Sequence, residues 1–140
     1  MSLPRFLRTA FENYEIRELR ELLSEGRVEI VLDPMLGKKI ACHRCGQDLS
    51  DRPSRGRHRM RLEASPLMGL RVFVFFWREK RHCPDCKKVR SEAISFVSPE
   101  TPHLTEEYAW WIGRLCEIAA VSRVAELVGQ NETTTWRLDL

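Results

Sequence analysis

The chain has 140 residues, 43% of them hydrophobic and 31% charged, enough apolar material for one packed domain or two small modules sharing an interface, with charge to spare for a soluble surface. No stretch approaches the ~20 apolar residues of a membrane span, and the N-terminus lacks the basic start, apolar core and cleavage site of a secretory signal, so a cytoplasmic protein with no membrane partner is expected. The net charge of +3 hides an asymmetry: residues 1–41 are neutral, residues 42–90 carry +8 and residues 91–140 carry −5, which places any affinity for a polyanion in the middle of the chain.

In chain order, residues 3–25 predict an amphipathic helix, in one piece or as two meeting near Asn13, with Phe6, Leu7, Ala10, Phe11 and Tyr14 at helical spacing and Ile16, Leu19, Leu22 and Leu23 extending the apolar side. Gly26 stops it. Val28, Ile30 and Leu32 alternate with polar neighbours, as in a strand, and Asp33-Pro34 closes that strand.

The strongest motif is a pair of cysteine knuckles, Cys42-His43-Arg44-Cys45-Gly46 and Cys83-Pro84-Asp85-Cys86, separated by 37 residues. Two thiolates at i and i+3 turn toward one point at a hairpin tip, and two such pairs make a four-sulfur cage. Soft thiolates in a closed tetrahedron select zinc or iron and leave no position for a reacting water, so the site is read as structural, with Cys42, Cys45, Cys83 and Cys86 as ligands. The alternatives are four reduced core cysteines, two disulfides, or His43 or His82 in place of one thiolate. A reducing cytoplasm disfavours the disulfides. Gly46 suits the positive φ that commonly follows a second ligand, whereas Lys87 fits the equivalent place less well. Four thiolates around a divalent ion leave −2, which brings the segment from +8 to about +6.

Asp51 to Arg59 reads as a loop rich in Pro, Gly and Ser, and Arg52, Arg55, Arg57, Arg59 and Arg61 crowd into ten residues. Such a run is either a solvated face or a phosphate-binding tract. Arg59–Ala64 and Leu70–Trp77 predict strands joined by a turn at Ser65–Gly69. In the second, Leu70, Val72, Val74 and Phe76 face one way and Arg71, Phe73, Phe75 and Trp77 the other, which predicts a central strand covered by helices on at least one side. Ala93–Val97 predicts a returning strand. Together these describe a zinc ribbon, an antiparallel sheet with hairpin tips clamped by one ion.

Ser98-Pro99-Glu100-Thr101-Pro102 reads as a linker. Thr105 is placed to cap a helix whose first turn holds Glu106 and Glu107 and whose buried face is Tyr108, Trp111, Ile112, Leu115 and Ala119, with Cys116 as a core thiol. Next, Ser122 caps a short helix with Val124, Ala125 and Val128 on one face. Gly129 turns the chain, Asn131 caps a last helix, and Trp136 and Leu138 supply apolar contacts. This is helix-turn-helix grammar, against which stand an ordinary helix pair and the acidity of the segment. The expected fold is therefore α+β: residues 1–97 hold the N-terminal helix and four-cysteine ribbon, and residues 98–140 form a helix-turn-helix-like segment.

The knuckle Cys42-His43-Arg44-Cys45-Gly46, the run from Pro66-Leu67-Met68-Gly69-Leu70-Arg71-Val72 to Arg81-His82-Cys83-Pro84-Asp85-Cys86, and Val121-Ser122-Arg123-Val124-Ala125-Glu126-Leu127-Val128-Gly129 with Thr135-Trp136-Arg137 stand in an order that resembles the N-terminal half of bacterial insertion-sequence transposases of the ISL-three family. The resemblance spans about residues 40–140. It implies a zinc ribbon and helix-turn-helix that recognise transposon ends, ahead of a catalytic domain with an Asp/Asp/Glu metal site. Within these 140 residues there is no spaced acidic set for two metals, no phosphate loop and no activated nucleophile, so the chain by itself is not expected to cut or join DNA. The expected contacts to double-stranded DNA are Arg52, Arg55, Arg57, Arg59, Arg61, Lys87 and Lys88 on phosphates, and Thr133, Thr134, Thr135 and Arg137 in the groove. Self-association or a transposase would be further partners. A ribbon that binds protein rather than DNA is the rival reading.

Overall fold

The computed structural model describes residues 10–139. Five strands precede three helices: β1 (Tyr14–Leu22), β2 (Arg27–Pro34), β3 (Ser54–Leu67), β4 (Leu70–Cys83), β5 (Lys88–Ser91), α1 (Glu106–Cys116), α2 (Val121–Val128) and α3 (Glu132–Asp139). The fold is α+β. The sheet order is β1-β2-β4-β3, with β5 paired to the far end of β4. It is mixed rather than antiparallel, because β2 and β4 run parallel, Val28 opposite Val72 and Ile30 opposite Val74. After β2 the chain leaves the sheet to build the first knuckle and re-enters as β3 on the other side of β4, so β2 and β4 lie side by side pointing the same way.

The helix expected over residues 3–25 is replaced by strand over Tyr14–Leu22 and a single 3-10 turn at Leu23–Glu25; its first part, residues 3–9, lies outside the described residues. A bulge explains the misreading. β1 pairs with β2 as Ile16 opposite Leu32 and Leu19 opposite Ile30, with an extra residue between Ile16 and Glu18. The same-face series therefore runs Tyr14, Ile16, Leu19, and the step of three imitates helical spacing. Pairing to β2 overrides the helix propensity of the Glu-, Arg- and Leu-rich sequence.

One face of the sheet carries the main core. Tyr14, Ile30, Leu32, Leu62, Val72, Val74 and Phe76 meet Phe11 and Phe96 there, and Phe11, Tyr14, Phe76 and Phe96 form edge-to-face ring pairs with centroids 5.2–5.6 Å apart. Phe96 comes from the stretch expected to be a returning strand. The return is instead β5, earlier in the chain, and residues 93–97 cross the core as irregular backbone with Ile94 and Val97 packed on it.

The Ser98–Pro102 stretch is a turn anchored by two buried hydroxyls, with Pro99, Glu100 and Pro102 exposed. Ser98 Oγ and Thr101 Oγ1 lie 2.8 Å apart, both residues are buried, and Leu104 pairs beside Glu63 of β3. Thr105 caps α1 through Tyr108 N–H, as its position predicts. Leu104, Tyr108, Ile112 and Val124 form a second core with Leu115, Val128 and Leu138 around it. Trp111 and Trp136, expected inside, are about half exposed. α2 starts after Ala120 rather than at a Ser122 cap, and its C-cap is Gly129 at φ 70°. α3 crosses α1 closely enough that a side chain on Gly113 would meet the Leu138 carbonyl at 2.6 Å. No helix among the described residues is long and apolar enough to cross a membrane.

Candidate metal centre and basic sheet face

The two knuckles converge. Cys42 precedes a tight turn in which Gly46 N–H returns to Cys42 O at 2.9 Å and Cys42 N–H bonds Gln47 O at 2.8 Å. Cys83 ends β4 and Cys86 lies in the β4–β5 turn. Their Sγ atoms all lie within 4.8 Å of one another, with Cys42 to Cys86 at 3.8 Å and Cys45 to Cys83 at 3.5 Å. A tetrahedral ion with metal–sulfur bonds of about 2.3 Å needs sulfur–sulfur edges of about 3.8 Å, so the cluster is spaced to hold a metal ion. The four are not joined in disulfides.

Both residues that follow a second cysteine have left-handed backbone, Gly46 at φ 79° and Lys87 at φ 57°. The second knuckle therefore repeats the first despite lacking its glycine. His43 Nδ1 lies 3.0 Å from Ser91 O, and among the described residues the group of converging ligands comprises the four cysteines alone.

Ionisation of the thiols is uneven. Burial pushes the Cys42 thiol up, but the N–H groups of Cys45 and Arg44 and the neighbouring thiols outweigh it and bring it to about 7. At Cys45 the Gln47 N–H lowers the thiol, yet hydrogen bonds with the other three thiols, together with burial, push it up to about 12. A bound cation takes the place of the shared protons.

The knuckles are braced from below. Cys42 bridges Glu92, whose buried carboxylate oxygen Oε1 accepts from Tyr14 Oη at 3.0 Å, Lys38 Nζ at 3.0 Å and Glu79 N–H at 3.1 Å. Tyr14 is raised well above the usual phenol range, first by burial and then by the Glu92 charge. Arg81 donates to the carbonyls of Leu49 and Ser50, and Arg78 to that of Glu92, so these two cations serve the interior.

The other sheet face is basic. Arg57, Arg59 and Arg61 occupy alternate positions of β3 and are exposed, although this tract reads as loop in its first half. Each guanidinium lies over a ring of β4: Arg57 is 4.5 Å from the Trp77 centroid, Arg59 is 5.4 Å from both Phe75 and Trp77, and Arg61 is 4.3 Å from Phe73. Arg71 adds a fourth, 5.1 Å from Phe73, while its other contact is a two-bond pair with Glu63 at 2.8 and 2.9 Å. The second apolar face of β4 is thus covered by arginine side chains over Phe75 and Trp77, and at its Phe73 end it also adjoins the turn between α2 and α3. Arg55 falls outside the row because a bulge between Ser54 and Arg57 breaks the alternation. Arg52 is an exposed turn residue before the strand, and Lys87 and Lys88 are exposed at the second knuckle.

At the end of the face remote from the knuckles stands the α2–α3 turn. Gln130 donates to Glu63 Oε1 at 2.8 Å, and Arg61, Arg71, Phe73 and Asn131 line the same cleft. Asn131 caps α3 through Thr134 N–H at 2.7 Å. Of the groove residues expected on α3, Thr133 and Arg137 are exposed but Thr134 and Thr135 are buried, with Thr135 Oγ1 donating to Asn131 O at 3.1 Å. Those two belong to the inner face of α3. A run of three threonines hides which of them points inward. Sequence reading missed the ring-supported row itself. Its trace was available, since arginine at 57, 59 and 61 alternates with His58, Met60 and Leu62 as a half-solvated strand does.

No protein-family model, curated protein or solved structure matches the chain.

Proposed function

We propose that this chain is the DNA-binding module of a transposase-like protein, in which a zinc ion fixes the knuckles, the basic face holds phosphates, and α2 and α3 act as a helix-turn-helix whose exposed Thr133 and Arg137 meet base edges. The observation that carries this reading is the continuity of the cationic row on β3 with the first turn of α3, across the contact of Gln130 with Glu63. Phosphate contacts supply affinity and register, and a helix at their end supplies sequence discrimination. The order of knuckles and helices, with its resemblance to insertion-sequence transposases, supports transposon ends as the target. Cutting and joining of DNA belong to another domain, and the module works in the cytoplasm. Zinc suits four thiolates with no open position, and its part is structural.

The test is a titration of zinc-loaded protein against labelled duplexes from the terminal repeats of its own element and against scrambled duplexes, at several salt concentrations. Preferential binding to the ends, lost on Arg137→Ala, is expected. Absence of binding to either duplex at low salt would refute the reading. A second reading, docking of a protein partner, is favoured by the exposed indoles of Trp110, Trp111 and Trp136, at 57%, 50% and 54%. That outcome would show as partner binding insensitive to salt and abolished by Trp110→Ala.

A further inference from the structure

The row on β3 differs from an ordinary solvated run of arginines in how it is supported. A free arginine loses several rotatable bonds on meeting a phosphate. Here part of the loss is already met in the folded protein, because the guanidinium groups of Arg57, Arg59 and Arg61 lie over Trp77, Phe75 and Phe73 while the three residues remain exposed. None of the three forms an ion pair among the described residues, whereas Arg71 and Arg81 beside them are neutralised by Glu63 and Glu79. Alternate residues of a strand are about 6.8 Å apart. That step is of the same order as the separation of successive phosphates along one nucleic-acid strand.

We propose that this face is a preformed track for one phosphodiester strand of duplex DNA, taking one phosphate per arginine at Arg57, Arg59 and Arg61, with Trp77, Phe75 and Phe73 as positioning residues beneath them. The proposal rests on the DNA-binding reading and deepens it. It makes the sheet, not the acidic helical segment, the main source of affinity, and it gives the aromatic side of β4 a function that its charge count does not reveal.

Salt dependence separates this from a general attraction to basic protein. Each phosphate neutralised contributes about 0.9 to the slope of log K against log salt on duplex DNA. The triple change Arg57→Ala, Arg59→Ala, Arg61→Ala is expected to make that slope shallower by about 2.7. The triple lysine variant is expected to restore the slope but not the full affinity, because lysine keeps the charge without the stacked plane. Trp77→Leu is expected to raise Kd by about two- to fivefold, the strength of an exposed cation–π contact, with the slope unchanged. Trp77 is 39% exposed, and thermal melting of each zinc-loaded variant checks that the fold is retained.

A triple alanine variant with the parental slope would overturn the track, and a Trp77→Leu variant with parental affinity would overturn the positioning role, in both cases leaving DNA binding itself intact. Failure of the parental protein to bind any duplex would instead remove the underlying reading.

Discussion

Lys38 and Glu92 show how much one buried contact carries. Their side chains are 9% and 2% exposed and 3.0 Å apart, and Tyr14 bonds to both, accepting from Lys38 Nζ at 2.7 Å. An ion pair this far from water is costly to assemble, yet breaking it is worse, since a carboxylate is then left buried without its cation. Lys38→Met is therefore expected to destabilise the protein by about 3 kcal/mol, toward the low end for a broken buried pair because Tyr14 and the Glu79 N–H still donate to Glu92. The double variant Lys38→Met with Glu92→Gln should recover part of that loss. Urea denaturation of the metal-loaded proteins measures both. Nothing in the sequence marks Glu92 apart from the other glutamates. It becomes unusual only when β4 and the first knuckle close over it.

The hairpin tips decide behaviour at the scale of elements. The β4–β5 tip places Lys87 at φ 57°, a conformation that costs a side-chain-bearing residue about 1–2 kcal/mol. Glycine removes that strain but loses about 0.5–1 kcal/mol through the freedom it gains in the unfolded chain. Lys87→Gly should thus stabilise the metal-loaded protein by about 0.5–1 kcal/mol, read from its denaturation midpoint. Unchanged or lower stability would mean that Lys87 has a compensating role. Element boundaries are less legible in the sequence than motifs. β1 imitates a helix because one bulged residue changes its repeat from two to three, and the start of β3 reads as loop because Ser54 and Gly56, just after Pro53, obscure an arginine alternation. In both places the sheet partner, not the local sequence, sets the conformation.

For the molecule as a whole, the metal is expected to govern one end of the sheet. Ile40, Leu49, Cys42 and Cys83 form a cluster of their own, separate from the core under β1–β4 and from the helical core. Chelation should therefore melt the knuckle end first and leave much of the far-ultraviolet signal. With a free metal ion 1,000-fold above its Kd, loss of that ion is expected to lower stability by about 4 kcal/mol. Reloading should release protons, because the Cys45 thiol, pushed up to about 12, holds its proton at neutral pH until the cation displaces it. An indicator in weakly buffered solution measures that release, and acidification should reverse the loading.

The sequence alone determined the four-cysteine cluster, the strand pattern of β2 and β4, the capped start of α1, and the Gly129 and Asn131 turn into α3. Each of these is local chemistry: a fixed ligand spacing, a period of two, a side chain that caps its own helix. Tertiary structure decided the rest. It put β2 parallel to β4, turned Thr134 and Thr135 inward while leaving Thr133 and Arg137 outside, and joined Gln130 to Glu63 across 67 residues. It also made a surface of Arg57, Arg59 and Arg61 by laying them over rings from a neighbouring strand. Cross-strand register fixes such contacts, and register depends on which segments pair, a choice made by the burial of the whole sheet rather than by any stretch of it.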